Sequence, residues 1–445
     1  MSTFKLKKGY NLNLQGGITT STVATAPAPR QCAVVPDDFY GVIPRLDKKA
    51  GETVAAGEPL YHDKTHEAIK VVSPVSGVVK AVNRGDRRKI ESIVIECDGS
   101  TGVIRHDPGA DAKATLLESG LWAMMRQRPY DIVPNPDVVP RDIFVTCFDS
   151  APLAPSLTTV LGDKQQYINK GVEVLSSLTS GKVYMGCRPD EVIEAPGAET
   201  NTFEGPHPAG NVGVQINNVK PVNKGETVWA LDVVTLARIG ELFTTGTVSF
   251  DTLVAVDGSE VVTPQYVKAT MGCPVADLVA GNIADDNGKT KRYISGNVLT
   301  GTQVDAATGF LRAPYRQLTV IPEVDHPDEF MGWASLSPKK FSIYRDFTGW
   351  LLGRNKKAVK MDARIQGGER AIVMSGEYDR MLPMDIYAEF LIKAIIAFDI
   401  DKMEQLGIYE VAPEDFALAE YADTSKLELQ RIVREGLDKM RKEVE

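Results

Sequence analysis

Ile143-Phe144-Val145-Thr146-Cys147-Phe148 is an almost uninterrupted apolar run, the pattern expected of a strand covered on both faces. Downstream, Ile168, Val172, Leu175 and Leu178 recur at helical spacing between Gln165 and Thr179, with Gly181 as a stop signal. Val183-Tyr184-Met185-Gly186-Cys187 then reads as a second strand of the same kind. Strand, helix, strand in that order predicts a parallel βαβ unit. Asp232 is suited to cap a helix from Val233 to Leu242, after which Thr252-Leu253-Val254-Ala255-Val256 returns as a strand. Upstream, Leu117, Leu121 and Met124/Met125 share one face of a helix expected over Asp111 to Met125. The middle third of the chain is therefore α/β.

Working outward, residues 34–98 change texture to short strands and tight turns. Gly51-Glu52-Thr53-Val54 with Gly57-Glu58-Pro59-Leu60, followed by Ser73-Pro74-Val75-Ser76-Gly77-Val78-Val79, carries this pattern, and Ile90 to Glu96 closes it with an alternating strand. The combination resembles the barrel-sandwich hybrid of biotinyl and lipoyl carrier domains. Lys64 and Lys70 stand thirteen and seven residues before Gly77, and neither fits the carrier lysine spacing, so the fold is expected without its prosthetic group. Residues 1–33 are polar and turn-rich, too poor in apolar groups to build a core, and are expected to pack on something else. Beyond Val261 short strands return around Asp285-Asp286-Asn287-Gly288, a hairpin signal. After Pro338 the chain becomes mixed, then helical. Ile386, Phe390, Ile395 and Phe398 line one expected helix. Ser425 with Glu428 forms a capping-box pattern ahead of a last helix carrying Leu429, Val433, Leu437 and Met440.

The 445 residues exceed a single domain, with about two to four expected. Their 50 basic and 59 acidic side chains leave a net charge of -9 and no broad basic surface for nucleic acid. The run Arg87-Arg88-Lys89 reads as a solvated hairpin edge. No stretch approaches the roughly 18 apolar residues of a membrane span, and no signal-peptide core opens the chain. Cys32, Cys97, Cys147, Cys187 and Cys273 are odd in number and scattered, which argues against a disulfide framework, a zinc site or an iron–sulfur cluster. The expectation from these features is a soluble protein kept in a reducing cytoplasm.

Residues that could carry chemistry are few. His62 and His66 stand four apart, yet a metal pair at that spacing needs a helix, and these two sit among strands. Gly205-Pro206-His207-Pro208-Ala209-Gly210-Asn211 is the most unusual string, because two prolines fix the backbone on either side of an imidazole. It can line a pocket with His207, or simply reverse the chain before Val212; the sequence leaves both open. No nucleophile elbow, P-loop or zinc-protease motif occurs.

Several strings in chain order resemble the A subunit of the sodium-translocating NADH:quinone oxidoreductases. They include Lys7-Lys8-Gly9-Tyr10, Leu117-Glu118-Ser119-Gly120-Leu121-Trp122, Arg126-Gln127-Arg128-Pro129, and Phe148-Asp149-Ser150-Ala151-Pro152. Phe203-Glu204-Gly205-Pro206-His207-Pro208 and Met381-Leu382-Pro383-Met384-Asp385 follow. The resemblance spans the whole chain. It implies a multidomain α/β and α+β protein: a docking segment over 1–33, a barrel-sandwich hybrid over 34–98, a Rossmann-like domain over 99–256, a β-grasp, SLBB-like domain over 257–330, and a mixed then helical C-terminal domain over 331–445.

That family is similar in layout to the NADH-oxidising flavoprotein of respiratory complex I and to a subunit of the Rnf complex, which bind flavin and nucleotide on a glycine-dense loop after a helix. At the matching place stand Gly120, Leu121, Trp122, Met124 and Met125, a degenerate loop whose bulky side chains would occupy pyrophosphate space. The degenerate loop and the scattered cysteines lead to the expectation of a subunit without redox cofactors or metal, and the resemblance implies a translocase whose flavins and iron–sulfur centre belong to five partner subunits. The complex oxidises NADH, reduces ubiquinone or another quinone and exports sodium ions. The chain is expected on the cytoplasmic side of a bacterial inner membrane, peripheral, near the quinone-reducing end. The alternatives are a flavin-dependent NADH dehydrogenase subunit of the complex I or Rnf type, and a non-catalytic scaffold or unmodified carrier-like module.

Overall fold

The computed structural model describes residues 1–20, 22–99, 102–285, 288–324, 341–343, 357–365, 367–373 and 376–444. At its centre is a six-stranded sheet. Strands Ala198–Glu204, Val183–Cys187, Asp142–Thr146 and Val228–Asp232 lie side by side in that order, all parallel. In chain order this is 3-2-1-4, the doubly wound arrangement, with the first strand flanked by the second and the fourth. Thr3–Lys5 adds a parallel edge beside 198–204, and Arg126–Arg128 an antiparallel edge beside 228–232.

Successive side chains of a strand point to opposite faces, so an apolar run feeds two cores at once. Ile143, Val145, Met185, Trp229 and Leu231 join one buried cluster with the helices Gln165–Ser176 and Val233–Thr245 and with the hybrid domain. Phe144, Tyr184, Val228 and Ala230 join the other, beneath Val212–Val219 and the C-terminal helices. The two helices on the first face touch backbone to backbone. A Cβ on Gly240 would lie 1.7 Å from the Tyr167 carbonyl oxygen, and one on Gly171 2.4 Å from that of Leu236, so only glycine permits the approach.

The hybrid domain is a four-stranded sheet (Gln31–Val34, Ile90–Cys97, Gly77–Arg84, Thr53–Val54) with a three-stranded one (Pro44–Leu46, Pro59–Asp63, Lys70–Val72). Lys64 is exposed in the turn after 59–63 and Lys70 begins the next strand. A third, mixed sheet runs Thr302–Val304, Lys291–Ser295, Gln317–Pro322, Asp251–Asp257, Gln265–Thr270, Val23–Thr25 and packs on helix Val275–Val279 around Val254, Val256, Val320 and Leu278.

Several expectations change. The strand containing Thr252–Val256 does not return to the α/β sheet; after the αL Gly246 that ends helix 233–245, it pairs with 265–270 and 317–322 in the third sheet, and that long-range pairing decides its place. The polar N-terminal segment packs on this chain itself, supplying edge strands to two sheets. The helix expected over 111–125 is broken: Ala112–Glu118 is helical, capped by Asp111, and a separate 3-10 turn covers Trp122–Met124. Helix 165–176 stops before Gly181, at Ser177. In helix Ala388–Ala397 the buried stripe is Ala388, Leu391, Ile392 and Ile395, whereas Phe390 faces outward. The capping box does not form. Ser425 Oγ donates to the Ala371 carbonyl, and Glu420 of the preceding helix accepts the Gln430 amide instead at the start of Leu429–Val444. Of the hairpin signal at 285–288, Asp286 and Asn287 lie outside the described residues.

Candidate functional site

In a doubly wound sheet the connections depart in opposite directions from the first strand, leaving a crevice beyond the C-terminal ends of the first and fourth strands. Here those ends are Thr146 and Asp232, and they open into a cleft of about 440 Å³. The 205–211 turn, residues 296–300 and 314–317 of the third sheet, Pro413 with Glu414, and Gln430 complete its walls.

His207 is buried at 4% exposure and lines this cleft, as does Gly210. The turn is pinned from both sides: the His207 amide donates to Asn11 Oδ1, and its carbonyl accepts from the Tyr10 amide. Ser150 Oγ lies 3.0 Å from His207 Nδ1 and accepts the Gly210 amide at 2.8 Å. Ser150 Oγ has its own proton to give; donated to Nδ1, it places the proton of a neutral ring on Nε2. Burial holds the imidazole down at about 4, so the ring is neutral. Its Nε2 has no protein partner among the described residues. Gly210 must be glycine, because a Cβ there would lie 2.6 Å from the Ser150 nitrogen.

Arg128, 1% exposed, hydrogen-bonds Asp131, while its Nη2 stands 3.5 Å from Glu414 Oε1 and its Nε has no partner among the described residues. Arg126 reaches back to the Asp38 carbonyl at 2.6 Å. Across the cleft Arg316 Nη2 donates to Asp232 Oδ1 at 2.7 Å, and its Nε is likewise unpartnered. Asp232 also accepts the Val234 and Thr235 amides at the helix start. Burial pushes Asp232 up, but Arg316 and the Thr235 amide pull harder and its carboxyl ends below the ordinary range. Asp149 and Glu414 go the other way: burial raises both, and for Glu414 the neighbouring Asp415 adds to it against Arg128. Apolar wall comes from Met124, Phe148, Leu157, Leu231 and Pro314.

Of the sequence candidates, His207 and Gly210 enter the cleft, whereas Gly205 abuts the Leu6 carbonyl and Pro206 accepts the Ala209 amide inside the turn. Pro208 accepts the Asn211 amide. In the degenerate loop only Met124 reaches the cleft. Leu121, Trp122 and Met125 are fully buried, Trp122 packed edge-on to Trp229 at 4.9 Å with its indole N–H on the Pro134 carbonyl, and Gly120 abuts Val72. His62 and His66 face different acids, Asp47 and Asp137, and no group of three metal-ligating side chains occurs among the described residues. Sequence reading missed the arginines and Glu414. The alternation Arg126-Gln127-Arg128 carried a signal, since residues two apart on a strand share a face. Glu414 carried none, because it arrives from the far end of the chain.

A doubly wound α/β domain framed by a barrel-sandwich hybrid and a third sheet, with a polar crevice at its switch point, defines the class as a multidomain α/β protein with a cleft at that switch point. Residues 4–98 match the NqrA N-terminal barrel-sandwich hybrid domain, 108–248 the NqrA second alpha/beta domain, and 253–306 the NQRA C-terminal domain. Over 454 residues the chain is 33% identical to the A subunit of the Na(+)-translocating NADH-quinone reductase of Neisseria meningitidis serogroup B, covering 99% of each chain. It is 34% identical to the proteins of the same name from Saccharophagus degradans and Klebsiella pneumoniae, again over 99% of each. The chain belongs to the NqrA family. No described helix is long and apolar enough to cross a membrane.

Proposed function

We propose that this chain is the peripheral NqrA component of a complex that oxidises NADH, reduces a quinone and exports sodium ions, and that its cleft receives the quinone headgroup. The observation that carries the reading is the set of buried, unpartnered nitrogens on three residues that line one crevice: Arg128 Nε, Arg316 Nε and His207 Nε2. All are donors when the neutral His207 ring carries its proton on Nε2. A buried donor without an acceptor is costly, and a quinone offers carbonyl oxygens that only accept. Apolar wall with a few placed donors is the usual composition of such a pocket.

The chain has no flavin or other redox group of its own in this reading, and works with five partner subunits that carry the flavins and the iron–sulfur centre. The support is the packing of Leu121, Trp122 and Met125 into the core where related folds keep a glycine-dense loop. It docks from the cytoplasmic side of a bacterial inner membrane.

A quinone bearing a photoreactive group tests the cleft. Label is expected on peptides containing Phe148, His207 or Arg316 and is expected to disappear with excess unlabelled quinone; label confined to other peptides refutes the assignment. Purified protein should lack flavin absorbance and saturable NADH binding. Either signal would replace this reading with a flavin-dependent dehydrogenase subunit.

A further inference from the structure

We propose that Glu414 is the acid that hands a proton to a carbonyl oxygen of the quinone during its reduction. The inference rests on the quinone reading of the cleft and assigns a role within it.

Glu414 belongs to a short 3-10 turn, Pro413–Phe416, that the C-terminal helices push into the crevice of a domain more than 160 residues earlier in the chain. The turn is fixed from behind. Asp415, 1% exposed, accepts the Ala412 amide at 2.9 Å and lies over Gly213, where a Cβ would come within 2.4 Å of its Oδ2. Asn211, from the His207 turn, donates to the Glu414 carbonyl at 3.2 Å. With its backbone held, the Glu414 side chain projects into the cleft at 45% exposure beside the buried Arg128.

The other cleft carboxylates are committed. Asp131 is bonded to Arg128, Asp232 to two helix amides and Arg316, and Asp149 to the Ala151 amide. Among the described residues Glu414 alone of these makes no hydrogen bond through its carboxyl; its one charged contact is the 3.5 Å approach of Arg128. The groups facing it are Arg126, Arg128 and Asp131 from the edge strand and its turn, Asp149 after the first strand, Tyr315 from the third sheet, and Asp415 on its own turn. The protein packed around its carboxyl, and Asp415, Asp131 and Asp149 against the arginines, hold its proton to higher pH than an ordinary carboxyl. That is the condition a general acid needs near neutrality.

The chemistry balances simply. Two electrons arrive from the NADH side of the complex. The Glu414 O–H bond breaks as one quinone oxygen gains its hydrogen, and the second oxygen takes a proton from water in the open cleft. The carboxylate is then reprotonated from the same water, giving quinol and an unchanged residue.

The test uses the assembled complex, with Glu414→Gln and Glu414→Asp. E414Q is expected to bind and photolabel quinone within about twofold of wild type, yet to reduce it at least ~10-fold more slowly. Wild-type turnover should fall as pH rises through the Glu414 pKa, and that alkaline limb should vanish in E414Q. E414D, which keeps an acid on a shorter arm, should restore part of the rate and the limb. Labelled E414Q with wild-type turnover and pH profile overturns the proposal alone, as does E414D no faster than E414Q. Wild-type complex that does not label in the cleft overturns the quinone reading, and the proposal with it.

Discussion

Ser150 and His207 meet at the wall of the cleft: the hydroxyl accepts the Gly210 amide and sits 3.0 Å from Nδ1, leaving Nε2 as the ring nitrogen without a partner among the described residues. Burial keeps the folded-state pKa of His207 at about 4, below its ordinary 6.5. Between those values the unfolded chain binds a proton that the folded chain does not. Stability therefore falls as pH drops from above 6.5 towards 4, by about 3 kcal/mol from this group. Urea unfolding of wild type and His207→Gln across that window is expected to show the extra slope in wild type only.

Ser150→Ala should leave the fold in place and free the ring. The Gly210 amide loses its acceptor and Nδ1 its donor, which costs about 1–3 kcal/mol. Nitrogen NMR of the imidazole is expected to report a single Nε2-protonated tautomer in wild type and a mixture in the variant, with quinone affinity several-fold weaker.

Arg316 and Asp232 join the third sheet to the first turn of helix 233–245 across the cleft. Asp232→Ala removes the acceptor of two helix amides and strands a guanidinium that is 9% exposed. Loss of the cap alone costs about 1 kcal/mol and breaking the buried pair about 3–5 kcal/mol. Asp232→Asn keeps an oxygen for the cap and should lose less. The difference in denaturant midpoint between wild type and Asp232→Asn measures the ion pair, and that between the two variants measures the cap.

Gly240→Ala puts a methyl 1.7 Å from a backbone oxygen of the facing helix. No side-chain rotation relieves that contact, so the helices must part. The expected loss is about 3 kcal/mol, at the upper end for overpacking, against a small gain from alanine's helix propensity in an exposed control. Thermal unfolding checks both.

What the sequence disclosed depended on how local the cause was. The apolar runs 143–148 and 183–187 announced a doubly covered sheet, since both alternating sets of side chains had to be buried. Asp232 announced its helix because capping is settled by the next three residues. The Thr252–Val256 strand reads the same in either sheet, and only long-range pairing with 265–270 and 317–322 decides which it joins. The 111–125 region was apolar at helical spacing, yet Ser119-Gly120 breaks the helix and lets Trp122 turn onto Trp229. His207 stood out through its prolines. Arg316 and Glu414 reach the cleft from 84 and 182 residues beyond Asp232, a closeness that no window of sequence contains.

Arg128 is the buried charge on which the cleft turns, so its substitutions should separate structure from recognition. Arg128→Ala leaves Asp131 with Arg434, at 3.9 Å, as its remaining ion partner among the described residues, and a half-buried carboxylate stripped of its close partner costs up to about 3 kcal/mol. Arg128→Lys keeps the positive charge but gives up the planar fork and the Nε donor. The lysine variant should therefore unfold within about 1 kcal/mol of wild type while binding quinone roughly ten- to a hundredfold more weakly, since one charged hydrogen bond is worth about 1.5–3 kcal/mol. Calorimetric titration beside chemical denaturation reads both quantities. Equal quinone affinity in R128K and wild type would show that Arg128 holds Asp131 and nothing more.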